Sequence, residues 1–221
     1  RIMKVLIPAK SNSIRIYNKN FRDFYNNESL VELLIKKLLK IFNSSDIYLS
    51  CDEDKKDLTD KYNINFLKRS KELCGNDVPM SLVITTIINQ MNLDNDEEIM
   101  WTLVTDPFFD DYEECLKCWN SIDHNVYDSL TVVYEHKGYA LDYLFKPINC
   151  GFGKEHIPTQ YIKPIYKLNN TLFIASVNTI LSNNYYLGLH PYWYISNSFS
   201  IDIDDENDFK IAKSLYNICY E

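Results

Sequence analysis

The sequence predicts an α/β protein with a mostly parallel sheet and helices on both faces. Three observations predict it. Apolar, β-branched segments alternate with helical patterns along most of the chain. The first apolar run (Val5, Leu6, Ile7) feeds a polar loop dense in cations, Pro8 to Asn20. Near the C-terminus, Ser200-Ile201-Asp202-Ile203-Asp204 spaces two carboxylates as one face of a strand would. A chain of 221 residues, 46% hydrophobic and 24% charged, suits one globular α/β domain with a small appendage.

In chain order, residues 3–8 read as a buried strand. Leu30, Leu33, Leu34, Lys37, Leu38 and Ile41 trace the 3.6-residue stripe of an amphipathic helix over 29–42. A strand at 46–50, helices at 53–62 and 80–92, a strand at 99–105, a helix at 110–121 and a strand at 129–134 continue the alternation. That spacing implies parallel β-structure with ligands at the carboxyl ends of strands. The pattern weakens after residue 135. Residues 136–168 are rich in Tyr, Lys, Pro and Gly and read as an ordered insertion, because the aromatics are numerous. Strand-like Thr171–Ile174 and Phe199–Ile203 then return to the sheet. A closing helix starts near Glu206 and runs through Phe209, Ile211, Ala212, Leu215 and Ile218.

A net charge of −8 argues against a general nucleic-acid or anionic-membrane surface. No apolar run approaches the roughly 20 residues of a membrane span. The sequence opens on a strand with no signal-peptide pattern, and six scattered cysteines read as reduced thiols in a cytoplasm. Cys115-x-x-Cys118 lies in a helical pattern without a second pair, so zinc is not expected there. The four histidines show no metal spacing and read as solvated or structural. Tyr192-Trp193-Tyr194 reads as core or interface.

Lys10, Arg15 and Lys19 place three cations within ten residues, beside Ser11, Asn12, Ser13, Asn18 and Asn20. Such a loop can hold a polyphosphate or simply be a solvated surface loop. It contains no glycine, and so fits neither the Walker pattern nor the dinucleotide fingerprint. On one face of a strand, Asp202 and Asp204 would stand about 7 Å apart. They read either as Mg²⁺ ligands or as a solvated strand face, with Asp205, Glu206 and Asp208 as charge at a helix N-terminus.

The loop resembles the signature of the nonulosonate (CMP-sialic acid synthetase-like) and KDO cytidylyltransferases. Ile7, Pro8, Ala9, Ser13, Arg15, Ile16, Lys19 and Asn20 match it, while Ser11 and Asn12 replace its two glycines. Collinear matches follow. They are Ile47–Asp52, Arg69–Asp77, Ser81, Leu103–Phe109, Gln160, Tyr166–Asn170, and Ser200–Asp204 with Asp208-Phe209. The resemblance spans essentially residues 1–221. It implies a Rossmann-like three-layer nucleotidyltransferase fold with an inserted dimerisation arm at 136–168. The implied activity is transfer of CMP from CTP to an acidic sugar with release of pyrophosphate, for surface glycan biosynthesis. By resemblance, Ala9, Lys10, Ser13, Arg15 and Asn20 cradle the nucleotide, and Arg69 and Ser81 face base and ribose. Lys19, Asp202 and Asp204 are implied as catalytic, with both aspartates on Mg²⁺. Leu103, Gln160, Asn169 and Asn170 occupy acceptor positions. On their own, Arg69 reads as a surface cation and Ser81 as a helix cap.

The departures from the family pattern fall on the acceptor side. A sugar-contacting Gln becomes Leu103, an Arg becomes Phe109, Arg-Arg becomes Pro158-Thr159, and a Gly becomes Asn170. Phe cannot replace the carboxylate grip of an arginine. Three readings follow: a transferase for a nonstandard acidic sugar or another small acceptor such as a sugar or polyol phosphate, one for a familiar nonulosonate with compensating contacts, and a non-catalytic nucleotide-binding relative. Retention of Lys19, Asp202 and Asp204 favours catalysis.

Overall fold

Residues 3–11, 16–75 and 77–220 are described by the computed structural model of the chain. The elements are β1 (Met3–Pro8), β2 (Asp23–Tyr25), β3 (Glu28–Ser29), α1 (Leu30–Leu38), β4 (Ile47–Cys51), α2 (Lys56–Tyr62), β5 (Asn65–Lys68), α3 (Met80–Met91), β6 (Glu98–Thr102), α4 (Tyr112–Ser121), β7 (Ser129–His136), β8 (Ile165–Lys167), β9 (Leu172–Ser176), α5 (Val177–Asn183), β10 (Pro191–Ser196) and α6 (Glu206–Tyr220). One sheet runs β10-β7-β9-β6-β1-β4-β5, with β8 added beside β7. Its ladders β1–β4, β1–β6, β4–β5 and β7–β10 are parallel. Its ladders β6–β9, β7–β9 and β7–β8 are antiparallel. This is the expected mostly parallel α/β architecture.

β1 sits mid-sheet between β4 and β6, which is why Val5, Leu6 and Ile7 form a continuous apolar run, all fully buried. One face of the sheet buries α1, α4 and α6 through Leu34, Trp119 and Phe209 among others. The other buries α3 and α5 through Ile84, Ile87 and Ile180. The result is three layers.

α1 starts at a capping box, in which Ser29 Oγ accepts from Glu32 N (3.3 Å) and Glu32 Oε2 accepts from Ser29 N (2.9 Å). Its helical bonding stops at Leu38, short of the expected 42, and the chain leaves through turns closed by Lys40 N to Lys37 O and Ile41 N to Leu38 O. The segment 199–203, expected as a strand, belongs to no ladder. The returning strand is instead β10, parallel to β7 at the sheet edge. Residues 137–164 carry only short 3₁₀ turns and one isolated bridge, Leu141 to Pro147. Among the described residues no helix is long and apolar enough to cross a membrane.

Lys37 ties α1 to the segment that follows β6. Its ammonium donates to Pro107 O (2.6 Å) and Phe109 O (2.9 Å) and pairs with Asp110 (2.7 Å). Burial pulls its pKa below the usual lysine value, against the Asp110 carboxylate, which raises it. Lys37→Ala strands two carbonyls and is expected to cost about 2 kcal/mol, read as a lower urea midpoint at unchanged slope. An unmoved midpoint would show the anchor to be idle.

Candidate active site

The carboxyl ends of β1, β4, β5 and β6 converge, and each delivers a polar group. After β1, Ala9 N donates to Ser50 O (2.9 Å), holding the chain against β4 for one more residue. Ser11 is then pinned to Asp52 twice, with N to Oδ1 and Oγ to Oδ2 both at 2.7 Å. Burial alone would raise the Asp52 pKa. The two Ser11 hydrogen bonds and the nearby Arg69 charge outweigh it, and the carboxylate sits below its ordinary value. Lys10 Nζ reaches across to Cys74 O (3.0 Å). Asn20 Nδ2 bonds Lys10 O (2.9 Å), which closes the loop on itself, and its own buried Oδ1 has no partner among the described residues.

Arg69, expected as a surface cation if read alone, is only 3% exposed. Its backbone N–H extends the β5 register to Cys51 O (2.8 Å), which carries the side chain inside. Among the described residues its Nε and Nη2 find no hydrogen-bond partner, and its charge reaches Asp52 and the Cys74 thiol. A buried guanidinium with donors unused among the described residues is suited to receive an acceptor from a ligand. Ser81 is not the cap of α3. That position belongs to Pro79, whose fixed φ suits a helix start, and Ser81 is exposed in the first turn. Ser13 and Arg15 lie outside the described residues.

The second half of the site comes from far along the chain. Lys19 Nζ donates to Ile203 O at 2.6 Å, the carbonyl of the residue between Asp202 and Asp204, and its charge acts on Asp202. Arg22 reinforces that junction. Its Nη2 donates to both carboxylate oxygens of Glu206 (3.0 and 3.1 Å) and its guanidinium lies over the Phe209 ring at 3.6 Å, which fixes the start of α6. Asp202 and Asp204 do not share a strand face, because their segment is irregular. It is held by Ile203 N to Thr105 O (2.9 Å) and, at its far end, by Asp208 accepting from the N–H groups of Asp204 and Asp205 (both 3.0 Å). Burial raises the Asp202 pKa and the Asp204 charge raises it further, against a Thr105 hydrogen bond and the Lys19 charge.

Behind this segment lies a buried knot centred on Asp106, which is 3% exposed. Its Oδ2 accepts from Ser200 Oγ (2.6 Å), Tyr134 OH (2.7 Å) and Thr171 Oγ1 (3.0 Å). Asn169 Nδ2 donates to Ser200 Oγ (2.6 Å) and extends the chain of bonds outward. Burial raises the Asp106 pKa despite the three hydroxyls. Tyr134, Asn169, Ser200 and Asp202 line a cavity of about 510 Å³, together with His136 and Lys167.

The expected acceptor residues divide. Asn169 lines the cavity, and Asn170 follows it in a left-handed conformation (φ 53°). Leu103 packs against the apolar cluster of α3 and α5, and Gln160 is exposed in the 137–164 segment. Phe109 is fully buried, edge-on to Tyr112 at 4.8 Å. Asp52, Asp106, His136 and Lys167 were missed from sequence. No three His, Cys, Asp or Glu side chains among the described residues form a metal-binding group.

Residues 4–111, just under half of the chain, match a family model described as Cytidylyltransferase. No curated protein matches the chain in sequence. Among solved structures, the chain is similar to a CMP:2-keto-3-deoxy-manno-octonic acid synthetase complexed with CTP (10% identity, 99% of each chain, TM-score 0.67). It is also similar to a 4-diphosphocytidyl-2C-methyl-D-erythritol synthase from Anaerococcus prevotii DSM 20548 (10% identity, 98% and 99% of the two chains, TM-score 0.63). HddC from Yersinia pseudotuberculosis resembles it at 14% identity over 96% and 99%, with a TM-score of 0.59. At these identities the likeness is one of fold.

Proposed function

We propose that this chain is a Mg²⁺-dependent cytidylyltransferase that moves CMP from CTP to a small acidic sugar and releases pyrophosphate. The observation that carries the reading is the Lys19 contact with Ile203 O, which joins the cationic loop after β1 to the Asp202–Asp204 segment across 184 residues. The cytidylyltransferase sequence pattern over residues 4–111 supports the nucleotide half.

The donor set suits Mg²⁺. Two carboxylates from one short segment, one raised in pKa by burial and by the other, are the kind of incomplete hard-oxygen site that takes Mg²⁺ together with substrate phosphates and water. Bound there, Mg²⁺ supplies charge to lower the pKa of the acceptor hydroxyl and to polarise the α-phosphate. The chain's own residues do the rest. Lys19 offsets charge on the phosphates, and Arg69 donates its unused N–H groups to the nucleotide. The loop pinned at Ser11 and Asn20 sets the register of the triphosphate. The acceptor oxygen forms a bond to the α-phosphorus as the α–β bridge breaks. Pyrophosphate leaves with that electron pair, and the hydroxyl proton passes to solvent.

Pyrophosphate release with Mg²⁺, measured with each of the four ribonucleoside triphosphates against a panel of acidic sugars and of sugar and polyol phosphates, tests this. Release confined to CTP with one acceptor class is expected. CTP binding without release from any acceptor, or no CTP binding, would overturn the catalytic reading and leave a non-catalytic relative. A second reading, a sugar or polyol phosphate as acceptor, draws on the two basic side chains in the cavity wall. Arg69→Met is expected to weaken CTP binding about tenfold, near 1.4 kcal/mol by calorimetry. Unchanged affinity would remove Arg69 from the site.

The same reading extends to a homodimer through the inserted 136–168 arm. Tyr143 and Phe145 stand 88% and 81% exposed there, apolar surface of the kind a second copy would cover. A monomer mass in solution at micromolar concentration would refute this.

A further inference from the structure

We infer that Thr105 is the positioning residue of the candidate metal site: its carbonyl and its hydroxyl together aim the Asp202 carboxylate at the cation. The inference rests on the proposed function for the use of that carboxylate, and on the packing of residues 199–208 for how it is held.

The sheet does not hold this segment. Residues 199–203 run past the carboxyl end of β6 without joining a ladder, so no strand register fixes where Asp202 points. Two ligands separated by one residue serve one ion only when their carboxylates are aimed by neighbours.

Two consecutive residues supply the hold. β6 ends at Thr102, but Leu103 N still bonds Thr171 O (3.0 Å), which carries the chain on in order to Thr105 and Asp106. Asp106 takes the segment at its near end. Its Oδ2 accepts from Ser200 Oγ (2.6 Å), while Tyr134 (2.7 Å) and Thr171 (3.0 Å) brace the same oxygen. Thr105 takes the segment at the ligand itself. Its carbonyl accepts from Ile203 N (2.9 Å), and its hydroxyl donates to the Asp202 carboxylate. One hydroxyl uses one acceptor position of a carboxylate, fixing the direction of the group and leaving the other lone pairs open to a cation.

Asp204 is placed by a separate device. Asp205 N donates to Asp208 Oδ2 (3.0 Å) and Asp208 N returns to Asp205 Oδ1 (2.9 Å), a reciprocal cap on α6. Asp204 N shares the Asp208 oxygen (3.0 Å), so the helix sets its backbone. Lys19 joins the two ligands through Ile203 O (2.6 Å). At Asp202 the hold falls on the side chain as well, and Thr105 supplies it. Thr105 is half-buried, and a valine there would fill nearly the same space and keep the carbonyl. The fold can do without the hydroxyl; the carboxylate cannot.

The test compares Thr105→Val and Thr105→Ser in the whole protein. The probe is Mn²⁺ in place of Mg²⁺, its binding read from loss of the free-ion electron paramagnetic resonance signal, without CTP and with CTP against a CTP-only blank. Thr105→Val should weaken Mn²⁺ binding about tenfold, the low end of what an orienting partner of a metal ligand contributes. It should raise the half-saturating Mg²⁺ for pyrophosphate release by a similar factor. Thr105→Ser should restore both, and the urea midpoint should stay near wild type in each variant. Should valine fold poorly, Thr105→Ala carries the same expectation for Mn²⁺. Unchanged Mn²⁺ affinity with a lower urea midpoint is the result of a purely structural hydroxyl and would overturn the assignment. A serine variant no better than valine, Mn²⁺ binding that survives Asp202→Ala, or no saturable Mn²⁺ binding with or without CTP would also overturn it. The two readings fail separately. Mn²⁺ binding that is lost in Asp202→Ala and weakened in Thr105→Val, in protein that does not bind CTP, sustains the positioning role without the transferase. Pyrophosphate release with Mn²⁺ affinity unmoved in Thr105→Val sustains the transferase without the positioning role.

Discussion

Asp202→Ala is expected to lower pyrophosphate release by about 10²–10³-fold while the protein still folds and still binds CTP. The side chain is half-buried at the rim of the acceptor cavity, and its segment is held by backbone bonds its carboxylate does not make, above all Ile203 N to Thr105 O. The fold can therefore survive its removal, and the loss falls on the chemical step. Asp204→Ala should behave alike. If both carboxylates serve one Mg²⁺, the double variant should lose little beyond either single variant, because residues acting as a unit are not additive. Chelation of Mg²⁺ should silence wild type reversibly. Activity within tenfold of wild type in Asp202→Ala would defeat the metal assignment, and circular dichroism would separate that outcome from misfolding.

Asp106→Ala should act the other way, on stability first. It removes the shared acceptor of Ser200, Tyr134 and Thr171, all buried or half-buried, and a cost of about 3 kcal/mol is expected from urea unfolding. Asp106→Asn keeps an oxygen for the same three hydroxyls without a buried charge, and should stay within about 1 kcal/mol of wild type. The two proteins should part with pH. The folded state raises the Asp106 pKa, chiefly by burial, and so favours the protonated acid. That favour is fully present below the ordinary carboxylate value near 3.9 and is lost as pH rises through the folded value. Wild type should therefore gain on Asp106→Asn as the solution is acidified across that window. A stability difference flat in pH would contradict a raised pKa, and an Ala variant as stable as wild type would deny the knot any role.

The central strands were legible because burial on both faces leaves a plain mark. β1 spans the expected residues 3–8, and α3 and α6 begin where their periodicity does. Edge elements were less visible. β5 is short and half-buried, and β10 carries three consecutive aromatics at a sheet margin, where Tyr192-Trp193-Tyr194 reads as well for interface as for strand. Ile201 and Ile203 imitate strand alternation because the segment is extended by bonds to Thr105 and Asp106, and it has no neighbour to form a ladder with. In the site, residues close in sequence could be grouped by eye, as Lys10, Lys19 and Asn20 were. The Asp106 knot could not, since its partners stand 28, 65 and 94 residues away. His136 and Lys167 meet only once β7 and β8 are known to pair.

The helix ends carry a consequence of another kind. α2, α3 and α5 all leave through an asparagine in the left-handed conformation, Asn63, Asn92 and Asn184, where glycine is the commoner choice. Asparagine tolerates that backbone, but its amide is among the groups most readily lost to heat. Hydrolysis at any of the three would leave a carboxylate at the negative end of a helix dipole, unfavourable by about 0.3–1 kcal/mol each. Damage from prolonged warming would accordingly begin at the helix exits and accumulate as added negative charge, well before the core is touched.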